Sequence, residues 1–369
     1  MKQLTGTKKA VLRIERVLKH QEKIVIFADD DTDGVISAVM MFEILKKLGL
    51  ENLKIHLAKR AAKGKIGLTK KDILKFKSKN IGLIITLDCG TNDKTGIVLA
   101  KRLGMDTIVI DHHRINSGIP PAFAFINPQQ LPGKLFIKNL STAGLVYKLA
   151  VSLSKYFKKD INISSFFDLI AISTIFDFQK IKKENKIFIE EGKKTLKHAN
   201  RIGLRILAKD NPDLKILGQK LNVDPAMSLK LLFSKDKETA QKLVMKINEK
   251  FHSKQKLVQK IFKSAQRMVD SLNPEKFIFI GDKNWPLDIL GDISSLLRGK
   301  YQKPVFVYTK AGKYYIGSAR APQNYNLVEI MKKCRHLLIN FGGHAQAAGF
   351  TIKPANLNKF IIHLDKILK

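Results

Sequence analysis

The sequence predicts an α/β protein with an N-terminal parallel-sheet domain, a helical connector and a smaller C-terminal α/β domain. Short β-branched runs alternate with helical periods in the first half of the chain, which is typical of βαβ units. Helical periodicity alone fills the middle, and strands return after about residue 274. At 369 residues the chain is also too long for one compact core. We expect domains at 1–180, 181–273 and 274–369.

Four strands are expected in the N-terminal domain, with helices between them. They are KIVIFA (23–28), LKIHLA (53–58), IGLIITL (81–87) and DTIVI (106–110). The first, third and fourth of these run directly into the polar loops ADDDTDG, DCGTND and DHHR. Because sites in open parallel sheets lie beyond the carboxyl ends of the strands, we expect these three loops to meet in space.

The middle of the chain reads as helices, and the C-terminal part as strands followed by a closing helix. Residues 234–269, SKDKETAQKLVMKINEKFHSKQKLVQKIFKSAQRMV, predict two long helices that pack as a connector. The C-terminal strands are predicted in KFIFIG, PVFVYT and YYIGSA, and further along in HLLINFGGHAQAAGFTI.

Charge and cysteine content narrow the class of protein. Lysine plus arginine outnumber aspartate plus glutamate 67 to 32, a net charge of +35, which favours a polyanionic partner. Charge alone does not separate a nucleic acid from an acidic membrane face, or from lysine-rich solvated surfaces. Cys89 and Cys334 lack ligand spacing and predict free thiols. No apolar signal core or membrane-length apolar segment is apparent, so we expect a soluble, cytoplasmic protein without membrane association.

The first polar loop concentrates negative charge in a basic chain. ADDDTDGV (28–35) contains Asp29, Asp30, Asp31 and Asp33. Its spacing matches the start of an EF-hand loop, but the twelfth position, where a bidentate glutamate is needed, is Met40. A helix cap explains one aspartate and leaves the others unexplained. Since crowded carboxylates repel one another unless a cation neutralises them, the cluster predicts bound metal, with Asp30 as a bystander.

Two further loops carry candidate ligands. Asp88 follows the third strand, where a turn or helix-cap role is an alternative to metal binding. Asp111, His112 and His113 end the fourth strand, and adjacent imidazoles can serve a metal and a substrate. Two histidines together also occur on surfaces without a function, so this loop is informative only in combination with the others.

An apolar helical stretch contributes the last candidates. FFDLIAISTIFDFQK contains Asp168 and Asp177, one of which is expected to face a cation because an uncompensated buried charge is costly. Carboxylates and imidazole without thiolate suit Mn²⁺ or Mg²⁺, and the ligands suffice for two ions with a bridging aspartate. A two-metal site of this kind supports phosphoryl displacement.

Taken in order, these motifs resemble those of the DHH phosphoesterase superfamily. The matching segments are DxDxDG at 29–34, LDCGT at 87–91, DHH at 111–113 and AISTIFD at 171–177. GGHAQAAGF (342–350) and WPLDILGDISSLLRGKYQKPVFVY (285–308) resemble the associated DHHA1 domain. The all-aspartate first motif, NP at 127–128 and ENK at 184–186 are most similar to RecJ-like single-strand nucleases. The resemblance covers nearly the whole chain.

The resemblance implies a role for each matched residue of the first domain. Asp29, Asp31 and Asp33 would ligate metal, with Asp88 bridging two ions. His112 and Asp177 would complete the second ion's ligands. His113 would lie near the scissile phosphate, and Asp111 would orient the histidines.

In the second domain, the resemblance implies that Gly342, Gly343 and His344 hold a substrate phosphate or terminal nucleotide. A glycine pair lets backbone N–H groups approach an anion, although a tight turn explains the same pattern. Arg320 and Arg60 follow strands where the family has substrate-contacting arginines. An ordinary surface position remains open for Arg60.

The function implied is a metal-dependent phosphodiesterase, a RecJ-like exonuclease that hydrolyses single-stranded DNA or RNA with two Mn²⁺ or Mg²⁺ ions. One alternative is a hydrolase of short oligoribonucleotides, dinucleotides or adenosine 3′,5′-bisphosphate. Another is a non-catalytic replication scaffold, and an active enzyme could also bind replication or repair proteins. The connector lacks the family's Asn-Ala-Gly-Arg element, and no oligonucleotide-binding barrel is expected after the glycine-rich loop. Polarity, DNA or RNA preference and oligomeric state are not predicted.

Overall fold

A computed structural model describes residues 4–58, 67–116, 118–133, 135–343 and 345–368. The chain divides into two compact units, with the boundary between Phe251 and His252. Both units contain a β-sheet and helices, which confirms the predicted α/β class. The finer division at residues 180 and 273 stays a prediction.

The first unit is built on a five-stranded parallel sheet with the order β2-β1-β3-β4-β5. Its strands are β1 (Lys23–Ala28), β2 (Leu53–Leu57), β3 (Ile81–Leu87), β4 (Asp106–Ile110) and β5 (Ala124–Ile126). The first four confirm the predicted strands. The fifth was not predicted, because three residues are too few to show a period.

Helices cover both faces of this sheet, so its strands are nearly continuous apolar runs. They are α1 (Thr7–His20), α2 (Thr32–Leu48), α3 (Lys70–Lys77), α4 (Lys94–Arg102), α5 (Thr142–Phe157), α6 (Phe167–Phe176), α7 (Glu184–Lys197), α8 (Ile202–Ala208), α9 (Leu214–Leu221) and α10 (Pro225–Leu232). Ile24 and Ile26 of β1 pack with α1, α2, α5 and α6 in the larger core cluster. Val25 and Phe27 point to the opposite face and pack with α3 and α4.

Helix α6 is apolar on all sides and lies inside the larger core, as its sequence implies. The buried carboxylate of Asp168, near its start, lies 3.7 Å from the guanidinium of Arg201. Arg201 in turn pairs with Glu43 of α2 at 2.6 Å. Asp168 is therefore the residue of the Asp168/Asp177 pair that faces a protein cation.

The expected pair of long helices in the connector is wrong. Residues Lys237–Leu272 form a single helix, α11, of 36 residues. No glycine or proline interrupts this segment, so no residue in it favours a turn.

The second unit contains a mixed five-stranded sheet with the order β6-β7-β8-β10-β9. The β6–β7 pair is parallel and the other pairs are antiparallel. Its elements are β6 (Ile278–Gly281), α12 (Leu290–Tyr301), β7 (Val305–Ala311), β8 (Tyr314–Arg320), α13 (Leu327–Lys333), β9 (Leu338–Gly343), β10 (Ala347–Ile352) and α14 (Leu357–Ile367). The predicted strands of this domain are confirmed.

Two smaller expectations have clear outcomes. Cys89 and Cys334 are free and buried, as predicted. Within the described parts of the chain, no helix is both long and apolar enough to span a bilayer.

Candidate metal centre

Three polar loops leave the carboxyl edge of the parallel sheet side by side. The first residue after each of β1, β3 and β4 donates its backbone N–H to the last residue of the next strand in the sheet. These hydrogen bonds are Asp29 N to Leu87 O, Asp88 N to Ile110 O and Asp111 N to Ile126 O, each 3.1 Å. The ligand-bearing loops are therefore aligned by the sheet itself, which confirms the expectation that they meet.

Local geometry explains the spacing of the first motif. Asp31 is the N-cap of α2, and its carboxylate accepts a hydrogen bond from Gly34 N at 3.0 Å. A Cβ atom on Gly34 would lie 2.3 Å from the carbonyl oxygen of Asp29. Only glycine fits this close approach of the helix to the strand end, so the DxDxDG pattern is a packing requirement as well as a ligand pattern.

The candidate ligands converge into groups small enough to hold a cation. Within each group the potential ligand atoms lie within 4.8 Å of one another. The groups are Asp29, Asp31 and Asp88; Asp33, His112 and Asp177; and Asp88, His112 and His113. Asp88 links them, since its Oδ1 is 3.2 Å from His112 Nε2, which is itself 3.4 Å from Asp177 Oδ2. Asp30 belongs to none of these groups.

Asp33 is held at its position by α5 and α6. Its Oδ2 accepts from Thr142 N at 2.7 Å, and its Oδ1 accepts from Ala143 N at 3.0 Å and from the Ser173 hydroxyl at 2.6 Å. The Thr142 hydroxyl donates to Asp88 Oδ1 at 2.9 Å. A carboxylate at a helix N-terminus is favoured by the helix dipole and the open N–H groups, so α5 orients Asp33.

Thr142 and Ser173 were not among the predicted site residues. The N-cap Ser141 marks the start of α5, but it does not indicate that this helix begins near a functional loop. The sequence pattern does not show that Asp33, which lies 109 positions before Thr142, supplies a carboxylate to the N-terminus of this helix.

Asp111 and His113 form a tight pair beside the aspartates. Asp111 Oδ1 is 2.7 Å from His113 Nδ1, and its Oδ2 accepts from Thr91 N at 3.0 Å. Burial raises the pKa of Asp111, but the neighbouring His113 outweighs this and brings the pKa well below the usual value. Burial likewise lowers the pKa of His113, whereas Asp111 raises it to about 10. The side chain of His113 is 40 % exposed.

The remaining electrostatics fit a bound cation. Burial and the negative charges of Asp33 and Asp31 raise the pKa of Asp88 well above its usual value. Burial is also the main reason why the pKa of Asp177 is raised to about 6. Carboxylates brought together at this density disfavour their own ionisation, and divalent cations would reverse that effect. Hard oxygen donors with one or two imidazoles match Mn²⁺ or Mg²⁺.

Gln179 is a further residue of the centre that no motif indicated. Its side-chain amide hydrogen-bonds to Asp177 Oδ2 and lies 3.3 Å from His112 Nδ1. One side chain thus contacts two candidate ligands from different loops. The residue lies two positions beyond Asp177 in an otherwise unremarkable polar turn, so the pattern of the sequence offers no reason to select it.

Comparison with family models agrees with the order of the motifs. Residues 23–174 match the model described as the DHH family, N-terminal domain, and residues 273–369 match the DHHA1 domain. The chain belongs to the DHH superfamily. All the candidate ligands except Asp177 lie inside the DHH match, and Asp177 follows its end by three residues.

Curated relatives of this DHH protein are single-strand nucleases. The single-stranded-DNA-specific exonuclease RecJ of Bacillus subtilis is 31% identical over 386 residues, which cover 99% of this chain and 48% of the relative. The RecJ of Escherichia coli is 24% identical, over 97% of this chain and 68% of the relative. The DHH chain thus spans about half the length of the Bacillus relative.

Solved structures show the same fold. The crystal structure of RecJ in complex with Mn²⁺ from Thermus thermophilus superposes with a TM-score of 0.86 at 22% identity, covering 99% of this chain and 55% of that one. A crystal structure of exonuclease RecJ bound to manganese gives a TM-score of 0.81 at 23% identity, covering 99% and 94%.

The predicted residues of the DHHA1 domain lie in the second unit. Arg320 ends β8 and pairs across the sheet with Ala347 of β10, next to the pairing of Ala348 with Gly343. Gly343 has a φ of 134°, and a Cβ there would lie 2.2 Å from Ala347 O, so glycine is required. A Cβ on Gly342 would meet no atom within 4 Å.

The Arg320 guanidinium is held in place by its own strand. Its Nη1 donates to the Ser318 hydroxyl and to the Ala319 carbonyl, each at 3.0 Å. Burial lowers its pKa from the usual value. Arg60 and His344 lie outside the described residues, so their predicted roles stay predictions.

Proposed function

We propose that this protein is a RecJ-like exonuclease that hydrolyses single-stranded DNA or RNA with two Mn²⁺ or Mg²⁺ ions. The observation that carries the proposal is the pair of three-residue groups, Asp29/Asp31/Asp88 and Asp33/His112/Asp177, at one edge of the sheet. The first group would hold one ion and the second the other, with Asp88 between them. Bound there, the ions would lower the pKa of an attacking water and neutralise charge on the phosphodiester.

The chain's own residues supply orientation and positive charge around the ligands. The N-terminus of α5 and Ser173 fix Asp33, while Asp111 fixes the ring of His113. The His113 side chain is 40 % exposed, so its ring would donate a hydrogen bond to the substrate phosphate. Such fixed donors stabilise charge that develops on the phosphoryl and leaving oxygens.

The DHHA1 domain is proposed to bind the strand, with Gly342, Gly343, His344 and Arg320 near a phosphate. Arg60 is proposed as a separate substrate contact. Residues 1–180 would be the catalytic domain, 181–273 the connector and 274–369 the substrate-binding domain. The charge of +35 supports a long polyanionic substrate over a short one, since each neutralised phosphate adds affinity. A cytoplasmic location and contacts with repair proteins belong to the same proposal.

The test is a time course with end-labelled single-stranded DNA, the matching RNA and a dinucleotide in the presence of Mn²⁺. We expect wild-type protein to shorten the strands from one end and Asp31→Asn to be inactive. Asp30→Asn is the matched control, because Asp30 lies between two candidate ligands and belongs to no ligand group. Hydrolysis of the dinucleotide alone would favour the short-substrate alternative. No hydrolysis by the wild type, or equal activity in Asp31→Asn, would refute the proposal.

A further inference from the structure

The turn that follows Asp177 carries an aromatic side chain in an unusual position. Phe178 is 81% exposed, and no large apolar side chain in the described parts of the chain is more so. It comes directly after a candidate metal ligand. A phenyl ring that is this exposed does not gain the stabilisation that burial normally gives to phenylalanine.

The backbone at this position is also unfavourable for phenylalanine. Helix α6 ends in a Schellman motif, with Phe178 N donating to Ile175 O at 3.3 Å and Gln179 N donating to Thr174 O at 3.1 Å. Phe178 occupies the position of this motif where glycine is preferred, with a φ of 52°. Neither packing nor backbone preference explains a phenylalanine here, and residues kept in such conformations cluster at functional sites.

The turn is held firmly against the centre. The buried amide of Asn185 donates to Lys180 O at 3.0 Å and to Asn139 O at 2.7 Å, which joins the turn to residues Phe136–Asn139. Residues Phe136–Asn139 form a short 3-10 helix, which is joined to the loop that carries Asp111, His112 and His113. The Gln129 amide makes this connection, since it donates to both Lys138 O and His112 O at 3.2 Å. Phe178 is thus presented by a fixed turn rather than by a loose loop.

Several lysines follow Phe178 closely in the sequence. Lys180, Lys182 and Lys183 follow within five residues, and all three are exposed. Lys183 Nζ lies 4.0 Å from the ring centroid of Phe136, itself 46% exposed. Aromatic rings among cations are the combination that binds single-stranded nucleic acids, because bases stack on the rings and phosphates pair with the cations.

We propose that Phe178 is a stacking platform for a base of the strand whose phosphodiester lies at the metal centre, with the adjacent lysines contacting its backbone. The inference rests on the proposed nuclease function and adds to it a base-recognition contact. Since every base has a π face, the contact would be indifferent to sequence.

The test compares Phe178→Gly and Phe178→Trp with wild type on two strands of equal length, one ordinary and one abasic over its terminal nucleotides. Affinities are measured by fluorescence anisotropy with EDTA, which excludes hydrolysis. We expect Phe178→Gly to bind the ordinary strand about 5- to 150-fold more weakly and the abasic strand as the wild type does. Phe178→Trp should retain the wild-type affinity. Ile181→Ala, which removes an apolar side chain that is 55% exposed three residues away, is the matched control and should have no effect.

Thermal unfolding gives a second, independent readout. Because glycine relieves the left-handed backbone, Phe178→Gly should melt about 2–4 °C above the wild type while it binds the strand more weakly. A lower melting temperature, or an equal loss of affinity on ordinary and abasic strands, would overturn the stacking role. Wild-type protein that binds ordinary and abasic strands equally would also overturn it. If wild type prefers the ordinary strand in EDTA but hydrolyses neither strand when Mn²⁺ is supplied, the nuclease proposal fails and the base contact stands.

Discussion

Ser173→Ala removes one hydrogen bond to the buried carboxylate of Asp33 and leaves its two backbone donors in place. The Ser173 hydroxyl lies 2.6 Å from Asp33 Oδ1 and 2.8 Å from the Ser141 hydroxyl, and Ser173 is fully buried in α6. Loss of a hydrogen bond to a charged group costs about 1.5–3 kcal/mol. Alanine in the helix returns about 0.5 kcal/mol relative to serine. The expected net loss is therefore about 1–2.5 kcal/mol.

At about 2–4 °C per kcal/mol for a unit of this size, the melting temperature of metal-free Ser173→Ala should fall by about 2–10 °C. Its affinity for Mn²⁺ should fall about 10-fold or more, because outer partners of metal ligands contribute at that level. Thermal unfolding without metal and calorimetric titration with Mn²⁺ measure the two effects.

The matched control is Ser228→Ala. Ser228 is also fully buried in a helix, but its hydroxyl donates to a neutral acceptor, Leu221 O, at 2.7 Å. A hydrogen bond to a neutral group contributes only about 0.5–1.5 kcal/mol, so this variant should lose less stability and bind Mn²⁺ normally. Equal losses in the two variants, with equal Mn²⁺ affinity, would refute the role given to Ser173.

Three more changes test separate parts of the structure. Gly34→Ala should abolish Mn²⁺ binding and lower stability, because its Cβ would lie 2.3 Å from Asp29 O. The control is Gly299→Ala in α12, where a Cβ would meet no atom within 4 Å, and this variant should be neutral or stabilising by up to about 1 kcal/mol. A normal Mn²⁺ titration of Gly34→Ala would contradict the prediction. Gln179→Leu should weaken Mn²⁺ binding about 10-fold, because it loses the contacts to His112 and Asp177. The control, Gln259→Leu, changes an exposed glutamine and should leave Mn²⁺ affinity unchanged. Equal Mn²⁺ affinities of the two variants would show that Gln179 does not position the ligands. Burial raises the pKa of Asp168 in the folded state. The folded state therefore favours the neutral carboxyl, and the stability that this adds is fully present below the unfolded pKa, near 3.8, and is lost as pH rises through the folded pKa. Asp168→Asn should therefore gain stability relative to wild type in urea unfolding as the pH rises above about 4, and a difference that does not change with pH would show that the Asp168 charge does not oppose folding.

The fold was largely predictable because its signals are local. Apolar runs such as IVIF of β1 and the polar residue that follows each strand identify both the elements and the edge at which the loops meet. There are two exceptions. Strand β5 has only three residues, which are too few to show alternation. The segment of α11 was predicted as two helices, although its helical periodicity is continuous and no residue in it breaks a helix.

The outer part of the centre was not predictable for a different reason. The contact from Thr142 to Asp33 joins residues 109 positions apart, and that from Gln179 to His112 joins residues 67 apart. Serine, threonine and glutamine are common throughout any chain, so only the folded geometry distinguishes these from others of their type. The carboxylates, in contrast, were recognisable because four of them within five positions are electrostatically unusual.

The hydrogen bonds that join the start of each ligand loop to the adjoining strand have a consequence for sequence change far from the centre. A shift of one strand by a single residue would displace its loop by about 3.3 Å, which is comparable to the separation of His112 from Asp88 and Asp177. Core substitutions at the opposite end of the sheet would thus abolish metal binding with every ligand intact.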